Sequence, residues 1–208
     1  MPPLRTIIYI DGFNFYYGQV KGTQYKWLNF DALCRAYLDP NNNDISKIKY
    51  FTALVKSRPH DPNQGMRQQT YLRALRTLPD FEIILGHFLS HVIRMPLADG
   101  SGYADVIKTE EKKSDVNIAV HMLHDAYKNM YDLAVLISND SDLSEPIRII
   151  TTEIGKKVGI LNPQNKPSRE LGKYAIFQKQ IRAGALAACQ FPAKMLDRHG
   201  VIHKPAGW

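Results

Sequence analysis

The chain reads as a three-layer α/β domain, with a central parallel sheet of about five strands and helices on both faces. Two observations predict it. Short β-branched runs without polar alternation, such as Arg5 to Ile10 (RTIIYI) and Leu133 to Ile137 (LAVLI), are the pattern of strands buried on both faces. Helical stretches long enough to serve as crossovers separate these runs, and right-handed crossovers place helices on the two faces of the sheet.

The elements follow in order. The first strand stops at Asp11-Gly12, and helical spacing continues over Phe13 to Gln19 and Asn29 to Leu38. Ile48 to Lys56 (IKYFTALVK) predicts the second strand. Asn63 to Leu78 predicts a helix with Met66, Tyr71, Leu72, Leu75 and Leu78 apolar, closed by Pro79-Asp80. Phe81 to Leu89 (FEIILGHFL) reads as a third strand. His91 to Lys112 breaks the alternation, because HVIRMPLA and YADVIK flank Asp99-Gly100-Ser101-Gly102; the expectation is an inserted β-hairpin near 91–112. Val116 to Met130 is a periodic helix, LAVLI the fourth strand, and Asp142 to Ile154 a helix ended by Gly155. Val158 to Leu161 (VGIL) gives the fifth strand, followed by a short helix from Ser168, an edge strand near Ile176 and an Ala-rich helix at Arg182 to Cys189. The expected organisation is one domain over 1–190 and a C-terminal extension over 191–208.

Bulk composition narrows the function classes. The net charge is +7 and the pI near 9.3, which favours a polyanionic partner. Cys34 and Cys189 each stand alone in an apolar helical pattern, so both read as core residues rather than a disulfide or a thiolate metal site. With no long apolar run and no secretory pattern at the N-terminus, a cytoplasmic protein without membrane contact is expected. Gly18 and Gly22 lack the spacing and the Lys-Ser/Thr end of a phosphate-binding P-loop. His121 with His124, and His87 with His91, come without the glutamate or thiolates of a zinc site.

The carboxylates carry the chemistry. Asp11 ends the first strand and Asp140 follows the fourth, so both fall at the carboxyl edge of a parallel sheet, where ligands of such folds bind. Asp115 opens the helix after the hairpin, Asp142 lies two residues past Asp140, and Asn14 one turn past Asp11. Carboxylates gathered at one rim repel each other, and a hard divalent cation, Mg²⁺ or Mn²⁺, is the simplest means of neutralising them. Plainer explanations exist for each residue. Asp11-Gly12 suits a strand-to-helix turn, Asp115 and Asp142 suit helix starts, Ser114 suits a cap, and Asp142 with Glu145 suits a capping box.

IIYIDGFNFYY, EKKSDVNIAVHML and LAVLISNDSDLSEPI, in that order, closely resemble the signature blocks of the NYN domain family, in its LabA-like bacterial branch. The resemblance spans Ile7 to about Asn162 and implies a PIN-like fold with an acidic pocket dependent on Mg²⁺ or Mn²⁺ and directed at RNA. It implies Asp11, Asn14, Asp115, Asp140 and Asp142 as catalytic residues, with the four aspartates as metal ligands; Asn139 stands where many members carry glycine.

The resulting expectation is a metal-dependent ribonuclease acting on single-stranded RNA. Ser138, Ser141, Lys112, Lys113, Arg58 and Arg169 are candidate substrate contacts, although the serines equally suit loop shaping and Lys112-Lys113 a solvated charge run with Glu110 and Glu111. Lys56, Arg67, Arg73, Arg76, Lys166 and Lys173 would supply a basic surround. Tyr16, Tyr17 and Trp27 suit either base stacking or the core. Two alternatives stay open: a non-catalytic RNA-binding or regulatory module acting through a partner, and a small-molecule phosphatase. The latter is disfavoured because Phe13 stands where a haloacid-dehalogenase-like site carries its second aspartate. Homo-oligomerisation is left open.

Overall fold

The computed structural model describes every residue except Met1, Arg58 and His60. The candidate contact Arg58 therefore lies outside the described residues. Six parallel strands form the central sheet: β1 (Leu4–Asp11), β2 (Asn43–Thr52), β3 (Phe81–Leu85), β6 (Leu133–Ile137), β7 (Lys157–Asn162) and β8 (Phe177–Gln180). Their spatial order is β3-β2-β1-β6-β7-β8. The chain steps outward from β1 to β3 in one direction, then returns to lay β6 against the free edge of β1 and steps outward in the other. The order thus reverses between β1 and β6, where the loops leaving the two strands part and open a crevice. The sixth strand, β8, is the edge strand expected near Ile176.

Alternation along β1 builds two cores. Ile8 and Ile10 point into one apolar cluster with Leu33, Leu72, Val135 and Leu161, while Ile7 and Tyr9 point into the other with Ile118, Met122, Leu136 and Ile147. The first core is covered by α2 (Phe30–Tyr37), α3 (Gln64–Leu75) and α7 (Ala183–Ala188), the second by α4 (Ser114–Tyr127), α5 (Ser144–Arg148) and α6 (Arg169–Gly172). A strand buried on both sides has no place for alternating polar residues, which is why these strands read as continuous apolar runs. Cys34 and Cys189 are free and buried in the first core. In the second core, Tyr9 accommodates its hydroxyl by donating to Asp125 at 2.7 Å, and Lys49 reaches the same carboxylate at 2.5 Å.

Several boundaries differ from the sequence reading; the second strand, expected over Ile48 to Lys56, runs over Asn43–Thr52. FEIILGHFL is not one strand: β3 ends at Leu85, and β4 (His87–Pro96) leaves the sheet to pair antiparallel with β5 (Tyr103–Lys112). Gly86 is the pivot. A Cβ there would lie 2.6 Å from the Glu111 carboxylate and from the Lys112 carbonyl, so only glycine lets the chain turn this closely past its partner strand. The hairpin accordingly starts four residues before His91. The helix expected over Phe13 to Gln19 is a short α-turn, α1 (Gly12–Phe15), running into a wider π-turn at Tyr16–Val20. The Asp142 to Ile154 helix likewise divides into a 3₁₀ turn at Ser141–Leu143, α5, and a π-turn at Ile149–Glu153.

The C-terminal segment packs against the first core. β9 (Lys194–Asp197) and β10 (Gly200–His203) form a hairpin, Phe191 and Ile202 enter the first core, and Arg73 pairs with Asp197. Among the described residues, no helix is long and apolar enough to cross a membrane.

Candidate metal centre

Each acidic residue of the site is held by a local device. Asp11 is the last residue of β1 and the N-cap of α1: its Oδ1 accepts the Asn14 N–H at 2.9 Å. Gly12 permits the sharp turn, because a Cβ at that position would sit 2.7 Å from the Phe51 carbonyl and the Tyr50 ring. Asp140 repeats the arrangement after β6, capping the 3₁₀ turn by accepting the Asp142 N–H at 3.1 Å. Asp115 arrives from the hairpin side. Lys113 adopts a left-handed conformation at φ 82°, turning the chain from β5 into α4 so that the first turn of α4 faces the crevice.

Asp11, Asp115 and Asp140 come together, with one carboxylate oxygen of each lying within 4.8 Å of the others. Asp11 is buried, Asp140 half-buried and Asp115 exposed. Burial, together with the negative charges of Asp115 and Asp140, pushes the Asp11 carboxyl up to about 6, against the hydrogen bonds from Asn14 and Ser138 that favour its charged form. Burial and then the charges of Asp140, Glu111 and Asp142 raise the Asp115 carboxyl as well. The three carboxylates are hard oxygen donors, without sulfur or imidazole among them, and their mutual repulsion is relieved by a divalent cation. The donor set therefore fits a hard divalent cation. Asp142 stands outside this triad, exposed on the next turn, and contributes its charge at Asp115.

The neighbouring polar residues brace the triad. Ser138 is fully buried; its hydroxyl donates to Asp11 Oδ2 at 3.0 Å and accepts the Asp140 N–H at 3.1 Å, so it shapes the loop. Asn14 Oδ1 accepts the Asn139 N–H at 3.0 Å and the Gln164 amide at 3.3 Å, which ties α1 to the loops after β6 and β7. Asn139 extends the same tie: its amide donates to the Lys166 carbonyl at 2.9 Å and its Oδ1 accepts the Ser168 N–H at 2.7 Å. A glycine at this position would lose these side-chain bonds and leave Asn14 as the bridge between the two loops.

The remaining candidates sit as follows. Lys112 is engaged by Glu110 at 3.1 Å, Lys113 forms the left-handed bend, and Ser141 and Arg169 are exposed at the starts of the turns after β6 and β7. Of the basic surround, Arg73 is committed to Asp197 and Lys173 to Glu170. Ser114 does not cap α4; its buried hydroxyl donates to Glu111 at 2.7 Å. The capping box of Asp142 and Glu145 does not form either, since Glu145 pairs with Arg148. Two contributions escaped the sequence reading. Glu111, read as part of a solvated charge run, is half-buried against Ser114, and Gln164 carried no sequence pattern.

A cleft of about 1180 Å³ opens beside the triad. Gly12, Phe13 and Glu111 form its inner lip, the β4–β5 hairpin one wall through Phe88, and Gln64 and Arg67 of α3 the other.

Comparison with known proteins places the chain. It is 33% identical to the 6-hydroxy-3-succinoylpyridine 3-monooxygenase HspA of Pseudomonas putida (strain DSM 28022 / S16), over 99% of this chain and 76% of that protein. A protein of unknown function from Vibrio parahaemolyticus has a similar fold, with a TM-score of 0.55 and 21% identity over 87% of this chain and 94% of its own. The NYN domain profile matches residues 5–178, the span that runs from Arg5 of β1 to Gln178 of the edge strand β8 and holds all three clustered aspartates, and the chain belongs to the NYN domain family.

Proposed function

We propose that the chain is a divalent-metal-dependent ribonuclease that hydrolyses RNA phosphodiester bonds at Asp11, Asp115 and Asp140, with Mg²⁺ or Mn²⁺ as the ion. The observation that carries this is the approach of three carboxylates from β1, α4 and the β6 loop to within 4.8 Å, in a family whose domains act generally on nucleic acid. Asp11, Asp115 and Asp140 would hold the cation, which would supply electrophilic polarisation of a scissile phosphate and favour deprotonation of an attacking water. The protein's own groups do the rest. Asp11 and Asp140 are fixed by their capping bonds and by Ser138, so the carboxylate lone pairs these bonds leave over are oriented before any ligand arrives. Asp115, more exposed and free of such bonds, is the member suited to accept a proton from water. Asp142, one turn away, adds negative charge that draws cations to the mouth.

The test is cleavage of labelled single-stranded RNA in Mn²⁺ by the wild type and by Asp140→Asn. Loss of cleavage with retained thermal unfolding supports the assignment; equal cleavage by the variant rejects it. RNA affinity without turnover under any divalent ion would instead favour a regulatory module.

A second reading has one specific support, the 33% identity over nearly the full chain to a monooxygenase acting on a hydroxylated pyridine. In that reading the cleft seats an aromatic heterocycle beside the triad, and one oxygen atom of O₂ enters the ring while the other leaves as water, with two electrons from an added reductant such as a reduced nicotinamide and two protons from that reductant and solvent. Consumption of 6-hydroxy-3-succinoylpyridine and oxygen by the purified chain, without cleavage of RNA, would establish it over the nuclease.

A further inference from the structure

The walls of the cleft carry a chemistry that the triad does not use. Tyr16 and Tyr17, on the π-turn after α1, are 36% and 60% exposed and line the cleft, with their rings edge-to-face at 5.3 Å. Burying aromatic surface is favourable, so two neighbouring tyrosines left partly in water on the wall of a cavity offer a flat apolar surface that a stacking ligand can cover. The Lys21 ammonium lies 4.8 Å over the Tyr17 ring. Further in, Phe13 meets Phe88 of the hairpin at 5.4 Å, and the hydroxyls of Ser90 and Thr109 pair at 2.9 Å on the hairpin face that forms the wall.

Charge points the same way. Among the described lining residues, Lys21, Lys26, Lys56 and Arg67 stand against Asp61 and Glu111, so the cleft is positive, and Gly12 in its lining is the residue next to Asp11. Aromatic faces interleaved with cations and hydroxyls match the stacking surfaces and phosphate-binding grooves of single-strand readers. The volume of about 1180 Å³ exceeds the roughly 300–1,000 Å³ of small-ligand pockets, leaving room for more than one nucleotide.

We infer that this cleft seats unpaired nucleotides of the substrate strand, with Tyr17 and Tyr16 stacking on bases and Lys21, Lys26 and Lys56 holding the backbone that leads to Asp11, Asp115 and Asp140. The inference rests on the ribonuclease reading and adds a selection rule. A base reaches the tyrosines only when it is free of its partner, so paired RNA is excluded by the geometry of its own stack.

Binding, measured without turnover, tests it. A short fluorescein-labelled single-stranded RNA is titrated in EDTA with the full chain and with Tyr17→Ala, Tyr17→Phe and Tyr127→Ala. Tyr127 is 83% exposed at the far end of α4 and is the control for non-specific stacking. The expected result is about tenfold weaker binding for Tyr17→Ala, little change for Tyr17→Phe and Tyr127→Ala, and much weaker binding of the same RNA once annealed to its complement. Unchanged affinity in Tyr17→Ala, equal loss in Tyr127→Ala, preference for the duplex, or no binding by the wild type overturns the inference. Tyr17-dependent binding with no cleavage in Mn²⁺ defeats the ribonuclease reading alone, whereas Mn²⁺-dependent cleavage with Tyr17-independent binding defeats the cleft alone.

Discussion

The Ser138 hydroxyl donates to Asp11 Oδ2 at 3.0 Å, joining the carboxyl ends of the two strands between which the sheet order reverses. The same oxygen accepts the Asp140 N–H, so one buried side chain sets the relative position of two of the three acidic residues.

Ser138→Ala removes both bonds and leaves the Asp140 N–H without its partner. A loss of about 1–3 kcal/mol in urea unfolding is expected, the usual cost of an unsatisfied buried group. Mn²⁺ affinity, followed by calorimetry, should fall several-fold although no ligand has been removed.

Asp11 makes stability depend on pH with a defined sign. Its carboxyl is raised from an ordinary 3.8 to about 6, so between those values the folded chain binds more protons than the unfolded one. Without metal, stability is therefore highest below that window and falls as pH rises through it, by about 3 kcal/mol at ~1.4 kcal/mol per pKa unit. Asp11→Asn in EDTA should lack this decline and be the more stable protein at neutral pH, while losing metal binding. Denaturation curves for both proteins on either side of the window check the prediction. In the wild type, metal affinity should rise as pH passes about 6.

Lys113 holds φ at 82° to swing β5 into α4. Glycine adopts this conformation without the Cβ clash, so Lys113→Gly should raise stability by about 1 kcal/mol. Metal affinity should stay unchanged, because the backbone path to Asp115 is the same; a lower melting temperature would count against strain at this bend.

Lys49 and Asp125 form an ion pair at 2.5 Å between the sheet and α4, with both side chains only 8% exposed. Lys49→Met leaves the Asp125 carboxylate with Tyr9 as its neutral donor and should cost about 3–5 kcal/mol. Replacing both partners with apolar residues should recover much of that loss, which thermal unfolding of the single and double variants would reveal.

Much of this protein was legible along the chain. LAVLI is the fourth strand within the bounds read from its apolar run, and β1 ends at Asp11 as the Asp-Gly pair indicated. These succeed because strands covered on both faces need unbroken apolar side chains, a constraint visible locally. The third strand misled for the same reason: FEIILGHFL is apolar throughout, and only the close approach of Glu111 and Lys112 to Gly86 shows why the chain leaves the sheet midway.

The site divides in the same manner. Residue type and position at strand ends were enough to nominate Asp11, Asp115 and Asp140, because a parallel sheet puts those ends on one edge whatever its strand order. Which carboxylates meet, and what orients them, was decided by tertiary structure. The exclusion of Asp142 from the cluster, the double bond of Ser138, and the use of Asn14 and Asn139 as ties between loops all depend on side chains whose partners lie more than a hundred residues away or across a separate loop. Periodicity reports which face of an element is buried; distances of a few ångströms between elements arise only when the cores on both faces have packed.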